Sequence, residues 1–208
     1  RTRITPLLIP KQIAFGGTTV PCVYDKNYAD LVQQLVEREY AVLLPYGAIP
    51  DLVDDAVRRF YRQIYRASYS ELVQLALLFS LVWENSSNQT TGVAANQNVS
   101  AALQPHFGIP AQPEGYVRAL LAWVQDFNYV RNPEGSDVVN PITAAFEQTG
   151  DCDSRVLVMA ILLKYEHIDA ILMISLVHEH ALIGVGIEGK GAKFPYQNQN
   201  WLIGETTA

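Results

Sequence analysis

Six residues, Gly150-Asp151-Cys152-Asp153-Ser154-Arg155, form the segment whose types and spacing point most directly to chemistry. Cys152 follows Gly-Asp and opens an apolar stretch of helical spacing through Val156, Leu157, Met159, Ala160, Ile161 and Leu163. A sulfur at a helix start meets unpaired backbone N–H groups and the positive end of the helix dipole. That setting favours thiolate over thiol. The same N–H groups can donate to an oxyanion, with the Cys152 amide as the first donor. Gly150 lets the backbone turn tightly without a side chain in the way. Asp151 and Asp153 oppose the thiolate, so a cationic imidazole beside the sulfur must outweigh them. A lone Cys near an apolar helix is more commonly core packing. The helix-start position, the polar neighbours and a His delivered by a strand move the reading toward a nucleophile.

Two histidines compete to serve that sulfur. His178 and His180 are two residues apart, so on a strand both face the same side. Read alone, the pair is also a metal-ligand spacing, but no third ligand cluster accompanies it. His180 heads the run Ala181-Leu182-Ile183-Gly184-Val185 and can stand at a strand start facing the helix terminus. His178 is then a neighbour. His106 and His167 read as ordinary surface residues. A catalytic imidazole needs its second nitrogen held by an acceptor. Glu205, expected on the last strand, is the candidate, with Asn200 as its competitor.

The elements that must position these groups occupy 208 residues, 49% of them apolar, with a net charge of −6. This suits one medium-sized domain, or a core with a helical appendage, and needs no disulfide or metal staple. An acidic chain repels phosphate backbones, which sets nucleic acid aside. Arg58, Arg59, Arg62 and Arg66 cluster near one face of a helix and read as a solvated face. Of the two cysteines, Cys22 and Cys152, a single bridge can be drawn, but they make no disulfide framework. The apolar stretch Leu72 to Trp83 is too short to span a bilayer.

Residues 1–24 read as extended structure or an arm, punctuated by Gly16-Gly17 and Pro21. Helices are expected over 25–40, over 51–65 and from a Ser70 cap to Trp83. Residues 84–104 read as a polar loop, with glycosylation-type triplets at Asn85, Asn88 and Asn98 that carry little weight. Helices follow over 114–127, 142–146 and 152–164. Strands are expected over 170–177, 181–187, 193–196 and 200–205. The boundary falls near Pro113, dividing an N-terminal arm and helical region, 1–112, from a chemical half, 113–208, or one compact domain spans both. The fold class is α+β, with the Cys152 helix start packed on an antiparallel sheet.

Gly-Asp-Cys-Asp-Ser-Arg, then His180-Ala181-Leu182, then Gly204-Glu205-Thr206-Thr207, in that order, resembles the transglutaminase-like superfamily of papain-fold cysteine enzymes. Trp123 to Tyr129 and Pro141 are similar to the segment before that family's Cys. The resemblance covers about 114–207 and is closest to bacterial members. It implies a papain/transglutaminase-like core with a triad at Cys152, His180 and Glu205, Glu standing where Asp is commoner. It implies acyl transfer through a thioester on a protein or peptide substrate. Water as acceptor gives proteolysis or deamidation, an amine gives cross-linking, and peptidase is the expected activity. Tyr129 and Gln125 join the Cys152 amide as oxyanion candidates. Asp151 and Asp153 suit the calcium site of one bacterial branch, although helix-start carboxylates explain them as well, and no cofactor is otherwise expected. The alternative is an inactive member kept as a protein-interaction domain. The N-terminal helices suit partner docking under either reading. The family, and Arg1 in place of Met, point to an extracytoplasmic or periplasmic protein, membrane-anchored at full length.

Overall fold

A computed structural model of the chain describes residues 5–90, 110, 112–131 and 135–207. The first expected arm is a hairpin, β1 (Leu8–Phe15) with β2 (Thr18–Asp25), paired antiparallel from Leu8↔Asp25 to Phe15↔Thr18. Its two-residue turn is Gly16-Gly17, with φ of +57° and +80°. Two consecutive positive φ values match the twist of a tight hairpin and suit glycine. The alternate residues Ile13, Phe15, Val20, Cys22 and Tyr24 are buried. The ring of Phe15 stacks on Phe79 with centroids 3.9 Å apart. The arm is therefore docked, because one face of it is apolar at period two.

Asp25 then caps α1 (Lys26–Leu43), accepting from the Asn27 amide. After a short 3-10 turn at Leu44–Tyr46 comes α2, Pro50–Thr90. The two helices expected over 51–65 and 70–83 are one, and Ser70 is no cap. No Pro or Gly interrupts residues 51–90, and apolar residues at helical spacing continue through Phe60, Ile64, Leu72, Leu75 and Phe79, all buried. The helix runs to Thr90, so Asn85 and Asn88 lie on it rather than in a loop. The rest of that expected loop, Asn98 included, lies outside the described residues, as does His106.

Among the described residues three shorter helices follow: α3 (Pro113–Gln125), α4 (Pro141–Glu147) and α5 (Cys152–Tyr165). Every residue from Val156 to Leu163 of α5 is buried. That requires neighbours on all sides, and α2, α3, α4, β3 (Ala170–Ser175) and β4 (His180–Val185) supply them. With β5 (Lys193–Tyr196) and β6 (Gln199–Gly204) these strands form an antiparallel sheet in the order β3-β4-β6-β5. The α+β architecture, with Cys152 opening a helix against an antiparallel sheet, is as expected. One apolar cluster runs from Ile13 through Phe79 to Val185, drawing on both sides of Pro113. No helix among the described residues is long and apolar enough to cross a membrane.

Glu166, just past α5, is 2% exposed. Burial raises its carboxyl to about 7, a Ser80 hydrogen bond pulls against that, and Glu84 adds to it. A carboxyl whose folded value lies above its unfolded value holds a proton in the folded state that the unfolded chain releases. Its contribution is thus full at low pH and is lost as pH rises through about 7. Glu166→Gln is expected to remove about 2 kcal/mol of the stability difference between pH 5 and pH 8, read by urea unfolding. An unchanged difference would show that Glu166 ionises freely in the folded chain.

Candidate active site

Asp151 builds the start of α5. Its Oδ1 accepts from the Ser154 amide at 2.9 Å and from Ser154 Oγ at 2.5 Å. Ser154 Oγ also accepts from the Val139 amide at 2.9 Å, which ties the cap to the approach segment. Gly150, at φ +146°, precedes it, and a Cβ there would sit 2.6 Å from Ser154 Cβ. Glycine is therefore required for this turn. Cys152 takes the first helical position, where among the described residues no carbonyl accepts its amide hydrogen. That amide fits the expected oxyanion donor.

Cys152 is 3% exposed. Its thiol is pushed up to about 11, by burial first and then by Asp153 and Asp151, with the backbone N–H groups of Ala181 and Asp153 pulling it the other way. The helix-start setting, expected to favour thiolate, is thus outweighed by burial and the two aspartates. Two carboxylates in a nearly dry site outweigh the two amides. Both carboxyls are also raised by burial; Asp151 reaches about 6. Both are already engaged, Asp151 by Ser154 and Asp153 by Tyr61 Oη at 2.6 Å. Among the described residues no group of three or more His, Cys, Asp or Glu is placed to hold a metal ion. The drawn Cys22–Cys152 bridge does not form; both are free and buried.

His180 is the first residue of β4, next to Ala181, whose backbone N–H lowers the Cys152 thiol. The Nε2 atom of His180 lies 2.6 Å from Glu205 Oε2. Glu205 stands just beyond β6, not within it, because the β4–β6 ladder stops at Ile183↔Gly204. Extending that register by one puts Glu205 opposite Leu182, on the same face as His180. The other oxygen, Oε1, accepts from the Thr207 amide at 2.8 Å and Thr207 Oγ1 at 2.6 Å. Burial raises the Glu205 carboxyl, but the Thr207 and His180 hydrogen bonds bring it below its ordinary value. It is thus an anion fixed against Nε2, which leaves Nδ1 as the nitrogen that can serve a thiol. Among the described residues Sγ is not hydrogen-bonded to the imidazole.

His178 lies in the β3–β4 turn, not on a strand, since β3 ends at Ser175. It is exposed, with its amide donating to Ser175 Oγ at 3.2 Å. The two histidines do not share a strand face. Asn200 lies inside β6, paired with Pro195. Gln125 ends α3, and its Nε2 donates to the Glu205 carbonyl at 2.7 Å, bracing that segment. Tyr129 is 53% exposed. Burial, then Cys152 and Asp151, raise its phenol, so it stands within electrostatic reach of the sulfur.

The residue that sequence reasoning passed over is Arg155. It is 3% exposed and donates to the carbonyls of Gly150, Gln125, Phe127 and Thr206 at 3.2, 3.3, 2.6 and 2.9 Å. Its guanidinium carbon lies 5.5 Å from the Tyr129 ring centre. One cation therefore ties the end of α3, the turn before Cys152 and the segment after Glu205. The signal was present as an arginine immediately before the apolar run of α5, where a charge drawn into the interior needs partners.

His180 borders two concavities. One, of about 320 Å³, is walled by Tyr61, Asp153 and Ile174. The other, of about 770 Å³, lies over sheet residues Leu182, Phe194 and Tyr196. No family model matches the chain, and no curated protein or solved structure matches it.

Proposed function

We propose that the chain is a transglutaminase-like cysteine hydrolase with a papain/transglutaminase-like core, acting on peptide or glutamine-type amides through a thioester. The observation that carries this reading is the 2.6 Å His180–Glu205 pair, with His180 lining the same cavity as Asp153, the residue after the cysteine that opens α5. Cys152 is the nucleophile, His180 the base and Glu205 the group that orients it. Nδ1 of His180 takes the thiol proton as sulfur bonds to the amide carbon. The Cys152 amide stabilises the oxyanion. Glu205 stabilises the imidazolium that forms. His180 then protonates the leaving nitrogen as the C–N bond breaks. A water molecule, deprotonated by His180, attacks the thioester, releasing the acid and restoring the thiol.

A thiol near 11 suits this order of events, because the proton moves during attack rather than before it. The same raised thiol, with no hydrogen bond to the imidazole, favours the second reading, an interaction domain without turnover.

Alkylation separates the two. Iodoacetamide labelling of Cys152 is measured from pH 6 to 11 in the parent and in His180→Gln. In the variant no imidazole takes the proton during attack, so labelling waits on ionisation of the thiol itself, which burial and the two aspartates hold near about 11 in the parent. The parent is expected to accelerate at lower pH and to label at least about tenfold faster at pH 7. Superimposable profiles would show that His180 does not serve the sulfur and would assign the interaction domain.

A further inference from the structure

The arginine cluster of α2 divides on folding. Arg59 turns to α1, its Nη2 2.9 Å from Glu39 Oε2. Arg58 and Arg62, one helical turn apart, instead rim a cavity of about 260 Å³ between α2 and β3. Its floor is apolar, from Val57, Tyr61, Tyr65, Leu172 and Ile174, and no carboxylate lines it. Arg62 is exposed. Among the described residues the one ion pair of Arg58, with Asp55, is 3.5 Å long and open to solvent. Such a pair holds the guanidinium weakly.

Two further features give this cavity a direction. β3 is an edge strand, and its second edge meets no strand among the described residues. β3 contributes to the lining and β4 does not. Tyr61 and Ile174 also line the cavity that reaches Asp153 and His180. One trough thus leads from the two arginines, along an unpaired strand, to the start of α5.

An extended segment laid beside β3 gains main-chain hydrogen bonds from the free edge and seats alternate side chains on the floor. The chain carries −6 overall, so an acidic ligand is attracted only where cations gather. We propose that this trough receives the acyl-donor segment of a protein substrate as an added strand along β3, with bulky apolar side chains inward and carboxylates toward Arg58 and Arg62. Its place in the reaction rests on the hydrolase reading; its ligand chemistry does not. A nucleic acid offers the charge without alternate apolar side chains for the floor.

The test uses Cys152→Ala protein, so that binding is read apart from turnover. The probe is a fluorescein-labelled, N-acetylated peptide alternating Glu with Leu or Phe around a central Gln, followed by anisotropy. Arg58→Glu/Arg62→Glu is expected to weaken it at least about tenfold. The matching Lys peptide is expected to prefer the double variant. Methylating alternate backbone nitrogens is expected to weaken the Glu peptide about tenfold. Equal binding of Glu and Lys peptides to both proteins would overturn the proposal, as would capture of single-stranded RNA in place of peptide. Indifference to N-methylation would overturn strand addition. Charge-dependent binding without cleavage by the parent would sink the hydrolase reading and keep the trough. Cleavage that arginine reversal leaves untouched would do the opposite.

Discussion

Cys152→Ser abolishes turnover, by at least about 10³-fold, on whichever peptide or glutamine-type amide the parent cleaves. The loss is chemical rather than structural. A hydroxyl is a far weaker acid than a thiol, and here even the thiol is raised to about 11. His180 must remove that proton beside Asp153 and Asp151, and no cation bonded to the sulfur helps it. A serine at this position keeps the start of α5 and fills nearly the same volume, so unfolding in urea should shift by less than about 1 kcal/mol. Fluorogenic peptide cleavage and amine incorporation into a glutamine donor, both run on a folded variant, read the effect. Retained activity in the serine variant would remove Cys152 from the chemistry and leave His180 and Glu205 a structural pair.

Arg155→Met is expected to cost about 3–5 kcal/mol. The side chain satisfies four carbonyls in a nearly dry interior, on segments that are far apart in sequence. Methionine fills the space and leaves all four acceptors without their donor. Because a domain of this size has roughly 5–15 kcal/mol in all, the loss takes a large share of its stability. Burial lowers the Arg155 guanidinium from its ordinary value, yet an arginine so placed remains a cation. Arg155→Lys keeps that charge but brings one ammonium to four oxygens in different directions. It is expected to fold with an intermediate loss of about 2 kcal/mol. Turnover should fall further than stability, because Thr206 and the Gly150 carbonyl flank Glu205 and Cys152 respectively. Urea unfolding of both variants reads this. A methionine variant as stable as the parent would mean that water replaces the guanidinium at those carbonyls.

The two variants differ in how far their roles could be foreseen. Cys152 and His180 were each singled out by a local signal, a Gly-Asp-Cys helix start and a His heading an apolar run, while Glu205 was singled out mainly by the order of motifs in the resemblance. Helices and strands in the second half were legible from local signals too, since their apolar periods are short, unbroken and bounded by Pro or Gly. The misreadings fell where local signals were ambiguous. Ser70 looks like a cap, yet it sits in a run with no helix breaker, and α2 continues through it. Gly16-Gly17 marks a turn, but pairing of its flanks into a docked hairpin depends on Phe79, more than sixty residues away. His178 and His180 have strand spacing, and only the position of the β3–β4 turn separates them.

By itself, the order of residues determined the α+β class, the helix that opens at Cys152 and the identities of the groups expected to meet there. These depend on periodicity and capping, which act over a few residues. The tertiary structure alone decided the register that carries Glu205 to within 2.6 Å of His180. It also decided the burial that holds the thiol near 11, the four-carbonyl clasp of Arg155 and the division of the α2 arginines. Those properties come from distances and solvent exclusion between segments remote in the chain, and no local spacing encodes them.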